Sequence, residues 1–289
     1  MYNFVILTDN TVDMPVEWLN EHEVGYECLP CSMNGVVYDK KNPIDTKLFY
    51  RQMREGAMPT TSQMNPAMAE AMFEPYLQEG KDILYLAFSS GLSGTCNSAR
   101  MAAEELKEKY PERQIKIMDS LAASMGEGLL LYYAVKLRDK GKNQDEICDW
   151  LLENRLHLCH VFTVDDLNHL HRGGRVSKAT AVLGTLANIK PMLHVDNEGK
   201  LISIGKVRGR KKSLATLVSM MEERIGRYCD KNETVFVSHG DCEADAEYVA
   251  GLVKEKFGIE NIMIHPISAT IGAHSGPGTV ALFFLGEYR

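Results

Sequence analysis

The sequence predicts an α/β protein: two α/β domains, the first with a mainly parallel sheet flanked by helices, the second a smaller mixed sheet with helices. Three observations carry the fold class. Through residues 1–160, short apolar runs alternate with stretches of helical periodicity, the pattern of a parallel sheet covered on both faces. In the second half, Lys190–Val195 and Leu201–Val207 flank the turn residues Asp196-Asn197-Glu198-Gly199, which reads as an antiparallel hairpin. Charge divides along with texture: residues 1–160 hold 16 basic and 24 acidic side chains, residues 161–289 hold 16 and 15. The two changes together put the domain boundary at 158/159, giving units 1–158 and 159–289.

In order along the chain, Phe4–Thr8 reads as a first strand, and Pro15 opens a helix where its missing N–H costs nothing. Gly25–Ser32 and Val36–Tyr38 flank Asn34-Gly35, a type I′ hairpin signal. Helices follow near 45–56 and 66–79, then the apolar strand Asp82–Phe88, helix Gly94–Tyr110, strand Gln114–Met118 and the long apolar helix Leu121–Lys140. A helix at 143–157 leads to strand Cys159–Val164. Beyond it come helix 177–187, the hairpin, helix 211–229, strand 234–239, helix 243–257, and strands 261–267 and 279–285.

Composition narrows the function. The chain has 289 residues, 45% of them hydrophobic and 25% charged. A chain this long buries about three quarters of its unfolded surface, which leaves room for an internal apolar cavity. The longest uncharged apolar run, Leu129–Val135, is far shorter than the ~20 residues of a membrane span. The first residues lack a basic, cleavable leader, so the expected location is the cytoplasm. Seven scattered cysteines read as reduced thiols, and a net charge of −7 argues against a broad nucleic-acid footprint.

The residues that follow strands are where a parallel sheet binds its ligands, and here they are rich in hydroxyls. Ser89-Ser90-Gly91-Leu92-Ser93-Gly94-Thr95 lies between a strand and a helix, with Thr60-Thr61-Ser62-Gln63 and Asp119-Ser120 in similar settings. Glycines there let backbone N–H groups approach an anion. The lysine of a nucleotide-binding P-loop is absent, so one modest negative charge such as a carboxylate suits the loop better. An alternative reading makes Ser93 the nucleophile of an acyl hydrolase, with Asp241 and His274 completing the order Ser…Asp…His. Gly272-Ala273-His274-Ser275-Gly276-Pro277-Gly278 reads as a glycine-rich turn presenting one histidine.

Two basic clusters surround Arg172 and Arg175, and Lys206, Arg208, Arg210, Lys211 and Lys212. The second puts three cations at or before the start of a helix, where the dipole disfavours them, so it is read as a site for phosphate or an acidic partner. Cys28-Leu29-Pro30-Cys31 has thioredoxin-like spacing but sits in a strand rather than opening a helix. The histidines and aspartates between 157 and 171 match no zinc spacing, and neither a metal nor a cofactor is expected.

Taken together, Thr61-Ser62-Gln63, Phe88 to Thr95, Asp119-Ser120 with Met125-Gly126-Glu127-Gly128, Arg172-Gly173-Gly174-Arg175, and Gly272 to Gly278 resemble the DegV family of bacterial fatty-acid-binding proteins, across essentially the whole chain. The resemblance implies a non-catalytic carrier that encloses one long-chain fatty acid in an apolar ligand tunnel between the two domains. It also implies a partner, a dihydroxyacetone-kinase-like fatty acid kinase that phosphorylates the bound acid to an acyl phosphate for phospholipid synthesis. Membrane contact would be transient, with no nucleic acid involved. By motif, Thr61 and Ser93 would hold the carboxylate, supported by Ser62, Gly94 and His274. Arg172, Arg175, Arg208, Arg210 and Lys211 would dock the kinase or a phosphate. Thr60, next to Thr61, leaves two threonines open as the ligand, Met64 stands where relatives often have proline, and Ser275 replaces a more usual threonine. Met58, Met64, Met68, Met72 and Met125 supply an adaptable lining for a tunnel.

Overall fold

The computed structural model describes residues 3–177 and 188–289. The first sheet is parallel, in the order β2 (Gly25–Glu27), β1 (Phe4–Asp9), β6 (Asp82–Ala87), β7 (Ile115–Asp119). Strand order reverses between β1 and β6, and that is where a crevice opens at the carboxyl ends of an open sheet. Helices α1 (Val16–Glu21), α3 (Pro66–Gln78), α4 (Thr95–Lys109), α5 (Met125–Asp139) and α6 (Gln144–Asn154) belong to this half. Asn65 caps α3 by accepting from Met68 N, and Asn143 closes a reciprocal capping box with Glu146 on α6. A small antiparallel sheet, β4 (Val36–Tyr38), β3 (Cys31–Met33), β5 (Thr60–Thr61), and α2 (Thr46–Arg54) lie beside the crevice.

The second sheet is mixed and has six strands to the first sheet's four, so the domain that is shorter in sequence carries the wider sheet. Its order is β10 (Leu201–Arg208), β9 (Ile189–Val195), β8 (Leu158–Thr163), β13 (Val280–Leu285), β11 (Val235–His239), β12 (Ile262–Pro266), all antiparallel except β11 beside β12. One face is covered by α8 (Arg210–Ile225) and α9 (Glu243–Phe257) through Leu214, Leu217, Met221, Val249 and Val253. The other presents Phe162, Leu193, Ala281 and Phe283 to the same core as Met125, Leu129 and Leu130 of α5. That helix is therefore buried on nearly all sides, which explains a sequence apolar all round rather than on one stripe.

The structure corrects several expected boundaries. Gly25–Ser32 is two strands in two different sheets, broken at Cys28-Leu29-Pro30, where Leu29 N donates to the Asn10 side chain. The helix expected from Leu121 begins only at Met125. Residues 121–124 form a turn with positive φ at Leu121 and Ser124, and tertiary donors take its carbonyls: Ser89 N bonds Ala122 O, and the Arg289 guanidinium bonds Leu121 O. Helix 211–229 ends as an α-helix at Ile225 and continues as a 3-10 turn through Lys231. His274 stands on a short helix, α10 (Ala269–Ser275), rather than in a glycine turn. Gly272 is needed there for packing, since a Cβ would lie 2.4 Å from the Tyr50 hydroxyl. Helix α7 (Leu167–Arg172) was not foreseen, and the helix expected at 177–187 lies outside the described residues.

Two polar devices join the halves. Arg289 is buried and donates to four carbonyls, those of Leu158, Leu121, Asp196 and Arg155, at 2.6–3.0 Å. Asp13, equally buried, accepts from Ser124 Oγ at 2.5 Å and from Ser268 N, at the start of α10, at 2.9 Å. Burial pushes the Asp13 carboxyl up to about 7. Behind it, Thr11 Oγ1 lies 2.5 Å from Asp9 Oδ1 and 2.8 Å from Glu127 Oε2. One hydroxyl hydrogen cannot serve both carboxylates. Burial raises the pKa of both carboxyl groups, that of Glu127 well above the usual range, and the Thr11 hydroxyl joins the two.

Two outcomes follow. Arg289→Ala removes the guanidinium donors from four carbonyls, of which that of Asp196 keeps Gly199 N, and is expected to lower unfolding free energy by about 2–4 kcal/mol, read by denaturant titration. For Asp13, the folded pKa of about 7 exceeds the ordinary 3.8, so between those values the native state binds more protons than the unfolded chain. Its contribution is therefore lost as pH rises from about 4 to 7. Relative to Asp13→Asn, the thermal midpoint of the wild type should therefore fall between pH 5 and pH 8; parallel pH profiles of the two proteins would refute the assignment.

Candidate functional site

The two sheets and α10 enclose a cavity of about 370 Å³, within the ~300–1,000 Å³ of small-molecule sites. The carboxyl end of β6 supplies one side of its mouth. Phe88 and the loop to α4 bring Leu92, Ser93 and Gly94 to the wall. Ser93 Oγ accepts from Thr95 N at 3.2 Å and lies 3.0 Å from Thr95 Oγ1, so the loop is wound tightly onto the first turn of α4. A Cβ on Gly94 would lie 2.2 Å from the Gln63 amide oxygen, and this close approach brings Thr61-Ser62-Gln63 against the helix N-terminus.

Strand alternation settles which threonine faces inward. Thr60 is exposed, whereas Thr61 lines the cavity, and its Oγ1 is 2.7 Å from His274 Nε2. Burial, then the nearby Arg175 and Arg172 guanidinium groups, push His274 down to about 4, so the ring is neutral near pH 7. In the Nε2–H tautomer it donates to Thr61 and leaves the threonine's own hydrogen free for an anion. Gly173 packs on the other ring nitrogen, where a Cβ would lie 2.1 Å from Nδ1.

Arg175 reaches this wall from the end of α7. Its guanidinium donates to Gly173 O and, at 3.1 Å, to Leu92 O, and burial lowers its pKa. Among the described residues it forms no salt bridge. The mouth thus collects two hydroxyls, a neutral imidazole and a cation without a carboxylate, an arrangement suited to one anion.

Of the other residues expected to act, Ser62 lines the mouth and is exposed. Arg172 is exposed and bonds His169 Nδ1. Arg210 pairs with Asp245 at 2.7 Å and Asp165 at 3.5 Å, and Lys211 lies over the Tyr248 ring. The cations at the start of α8 are therefore partly answered by the chain itself, while Lys206, Arg208 and Lys212 remain exposed. Cys28 and Cys31 are each pushed up to about 11 by burial, away from the thiolate that redox exchange needs.

The Ser93 hydrolase reading fails on geometry. His274 bonds Thr61, and Asp241 is held by Arg54, so neither forms a relay to Ser93. The sequence reading missed three residues of the inner wall, Ser124, His160 and Ser238. His160 and Ser238 face inward only because of how β8, β13 and β11 pair, for which no local signal exists. Ser124, with φ 54° and ψ −150° just before a helix, carries backbone strain rather than a motif.

Comparison with known proteins gives a consistent result. A family model described as "Uncharacterised protein, DegV family" matches residues 3–287. A DegV domain-containing protein of Clostridium perfringens is 46% identical over 291 residues, covering 100% of this chain and 99% of the relative; one from Streptococcus pyogenes is 40% identical over 286, covering 98% of each. Among solved structures, a DegV family protein from Thermus thermophilus, reported for fatty acid binding, aligns with a TM-score of 0.86 at 28% identity, covering 98% of this chain and 99% of that one. DegV from Bacillus subtilis, reported as a fatty acid binding protein, aligns with a TM-score of 0.84 at 27% identity, covering 99% and 100%. With this sheet topology, this mouth and these matches over its whole length, the chain belongs to the DegV family.

Proposed function

We propose that this protein is a cytoplasmic, non-catalytic carrier that holds one long-chain fatty acid in the cavity, its carboxylate at Thr61 and Ser93. The observation that carries this reading is the combination within one cavity of an anion-suited mouth and a wall built from Leu92, Phe162, Val195, Leu201, Ala281 and Phe283. Ser62, Gly94, His274 and Arg175 support the head group: Gly94 by permitting the close approach of the Gln63 segment, His274 by orienting Thr61, and Arg175 by its charge. Burying about 15 methylenes contributes roughly 12 kcal/mol as an upper bound, before association and ordering costs. The mouth therefore has only to fix register and satisfy the carboxylate. Two similar proteins reported to bind fatty acids, from Thermus thermophilus and Bacillus subtilis, support the same reading.

The carried acid is then presented to a dihydroxyacetone-kinase-like fatty acid kinase, which forms an acyl phosphate for phospholipid synthesis. Exposed Arg208 and Lys211 on the rim formed by β10 and α8, with Arg172, suit docking of an acidic or phosphate-bearing partner. Arg210, tied to Asp165 and Asp245, holds that rim in place.

Native mass spectrometry of protein purified from cells is expected to show a co-purifying long-chain acid. Thr61→Ala with Ser93→Ala should weaken fatty-acid affinity at least tenfold by calorimetric titration, since each removes a hydrogen bond to a charge worth ~1.5–3 kcal/mol. A clean apo mass together with no binding in titration would refute the reading. In a coupled assay with ATP and such a kinase, Arg208→Glu with Lys211→Glu should cut acyl phosphate formation several-fold while fatty-acid affinity holds. Unchanged turnover would remove the docking assignment.

A further inference from the structure

One edge of the mixed sheet is an exposed strand. β10 pairs only with β9, so its outer row of backbone N–H and C=O groups has no strand beside it among the described residues. Six of its eight residues are exposed, Ile202 and Ile204 to 39% and 40%. β12, at the opposite edge of the same sheet, is half-buried throughout. A long exposed edge is a template for a further strand.

The two faces of β10 differ in character. Leu201, Ser203, Lys206 and Arg208 stand opposite Val195, Leu193, Pro191 and Ile189, which puts all four on the face that carries the cavity. Ile202 and Val207, opposite His194 and Lys190, lie on the other face, and Ile204 is the extra residue of a bulge. Residues 200–212 hold six cations and no acid. Lys200 pairs with Glu198, and Arg210 with Asp165 and Asp245. Lys206, Arg208 and Lys212 are exposed and form no salt bridge among the described residues.

Charge and backbone together select the occupant. A second copy of this chain would bring three more unanswered cations to the same seam, and lysine and a bulge on an edge discourage such self-pairing. A lipid surface would answer the charge but not the row of N–H and C=O groups. An extended acidic segment answers both. Its main chain completes the ladder, carboxylates at every second position meet Lys206 and Arg208, and the apolar residues between them cover Ile202.

We propose that β10 is a docking edge at which a partner protein adds an extended acidic segment as a seventh strand of the mixed sheet. This rests on the reading of the β10 and α8 rim as a docking surface, and it names the mode of contact. A strand added there runs beside Leu201, which lines the cavity, so the partner is brought alongside the ligand.

The test uses the full chain and fluorescein-labelled nine-residue peptides, one alternating glutamate with valine and one alternating lysine with valine. Fluorescence anisotropy is expected to show the acidic peptide binding with a Kd below about 100 μM, at least tenfold more tightly than the lysine peptide. Lys206→Glu with Arg208→Glu should reverse that preference. Two further acidic peptides carry N-methyl groups on the glutamates only or on the valines only. A strand turns every second N–H to the same neighbour, so one of these should lose at least tenfold in affinity and the other should keep it. No binding of the acidic peptide, or equal binding of the lysine peptide, would overturn the proposal. Both methylated peptides binding like the parent would also overturn it, leaving a contact by charge alone, as with a lipid surface. Dimerisation of the chain in ultracentrifugation that competes with the peptide would give the edge to a second copy and overturn it as well. Fatty-acid titration of the same samples reads the carrier proposal separately. Loss of acyl phosphate formation on Arg208→Glu with Lys211→Glu, without peptide binding, would keep the docking rim and remove strand addition.

Discussion

The burial of α5 between the two sheets is the constraint on which the rest of the molecule depends. Eleven of its 15 residues are buried, and the same core cluster contains strands of both domains. A helix in that position has no solvated side, so whatever is polar on it must be neutral or paired. Glu127 meets this requirement by bonding Thr11, with a pKa that burial raises well above the usual range, and Gly126 leaves space for His160, whose ring nitrogen a Cβ would approach to 2.2 Å. The turn that delivers α5 is forced into positive φ at Leu121 and Ser124, and it is this turn that borders the cavity.

The cavity is the space that this arrangement leaves near the N-terminal end of α5, roofed by α10 and floored by the mixed sheet. Its mouth is suited to an anion by a particular division of labour. The cation Arg175 is anchored to two backbone carbonyls rather than to a carboxylate, so its charge is available. His274 is neutral because the same burial and the same arginines disfavour its charged form. Thr61 and Ser93 contribute hydroxyls positioned by a neighbouring ring and by a helix N-terminus. His274 is engaged by Thr61 and Asp241 by Arg54, so neither forms a relay to Ser93.

Much of this was legible in the sequence. The strand and helix order of the first half, the hairpin at Asn34-Gly35 and the hydroxyl loops after β6 and before α3 follow from periodicity and turn chemistry, which are local. The failures are also instructive. Leu121 to Ser124 look helical because their side chains are apolar or small, yet Ser89 and Arg289, from elsewhere in the fold, claim their carbonyls. Gly272 reads as a turn residue, whereas its role is to let Tyr50 approach a helix. Arg175 reads as part of a surface cluster, whereas its guanidinium turns into the cavity to reach Leu92 O, 83 residues away in the chain.

By itself, then, the sequence determined the α/β class, the location of the anion-suited loops and their lack of a phosphate-binding lysine, because alternation, glycine placement and residue type act over a few residues. Only the tertiary structure decided that Thr61 rather than Thr60 lines the cavity, that His274 bonds it from a helix, and that the buried His160 and Ser238 stand behind the inner wall. Those choices depend on strand register and on contacts between residues more than a hundred positions apart. No local pattern encodes such a contact, since its free energy exists only once the two sheets have closed around α5.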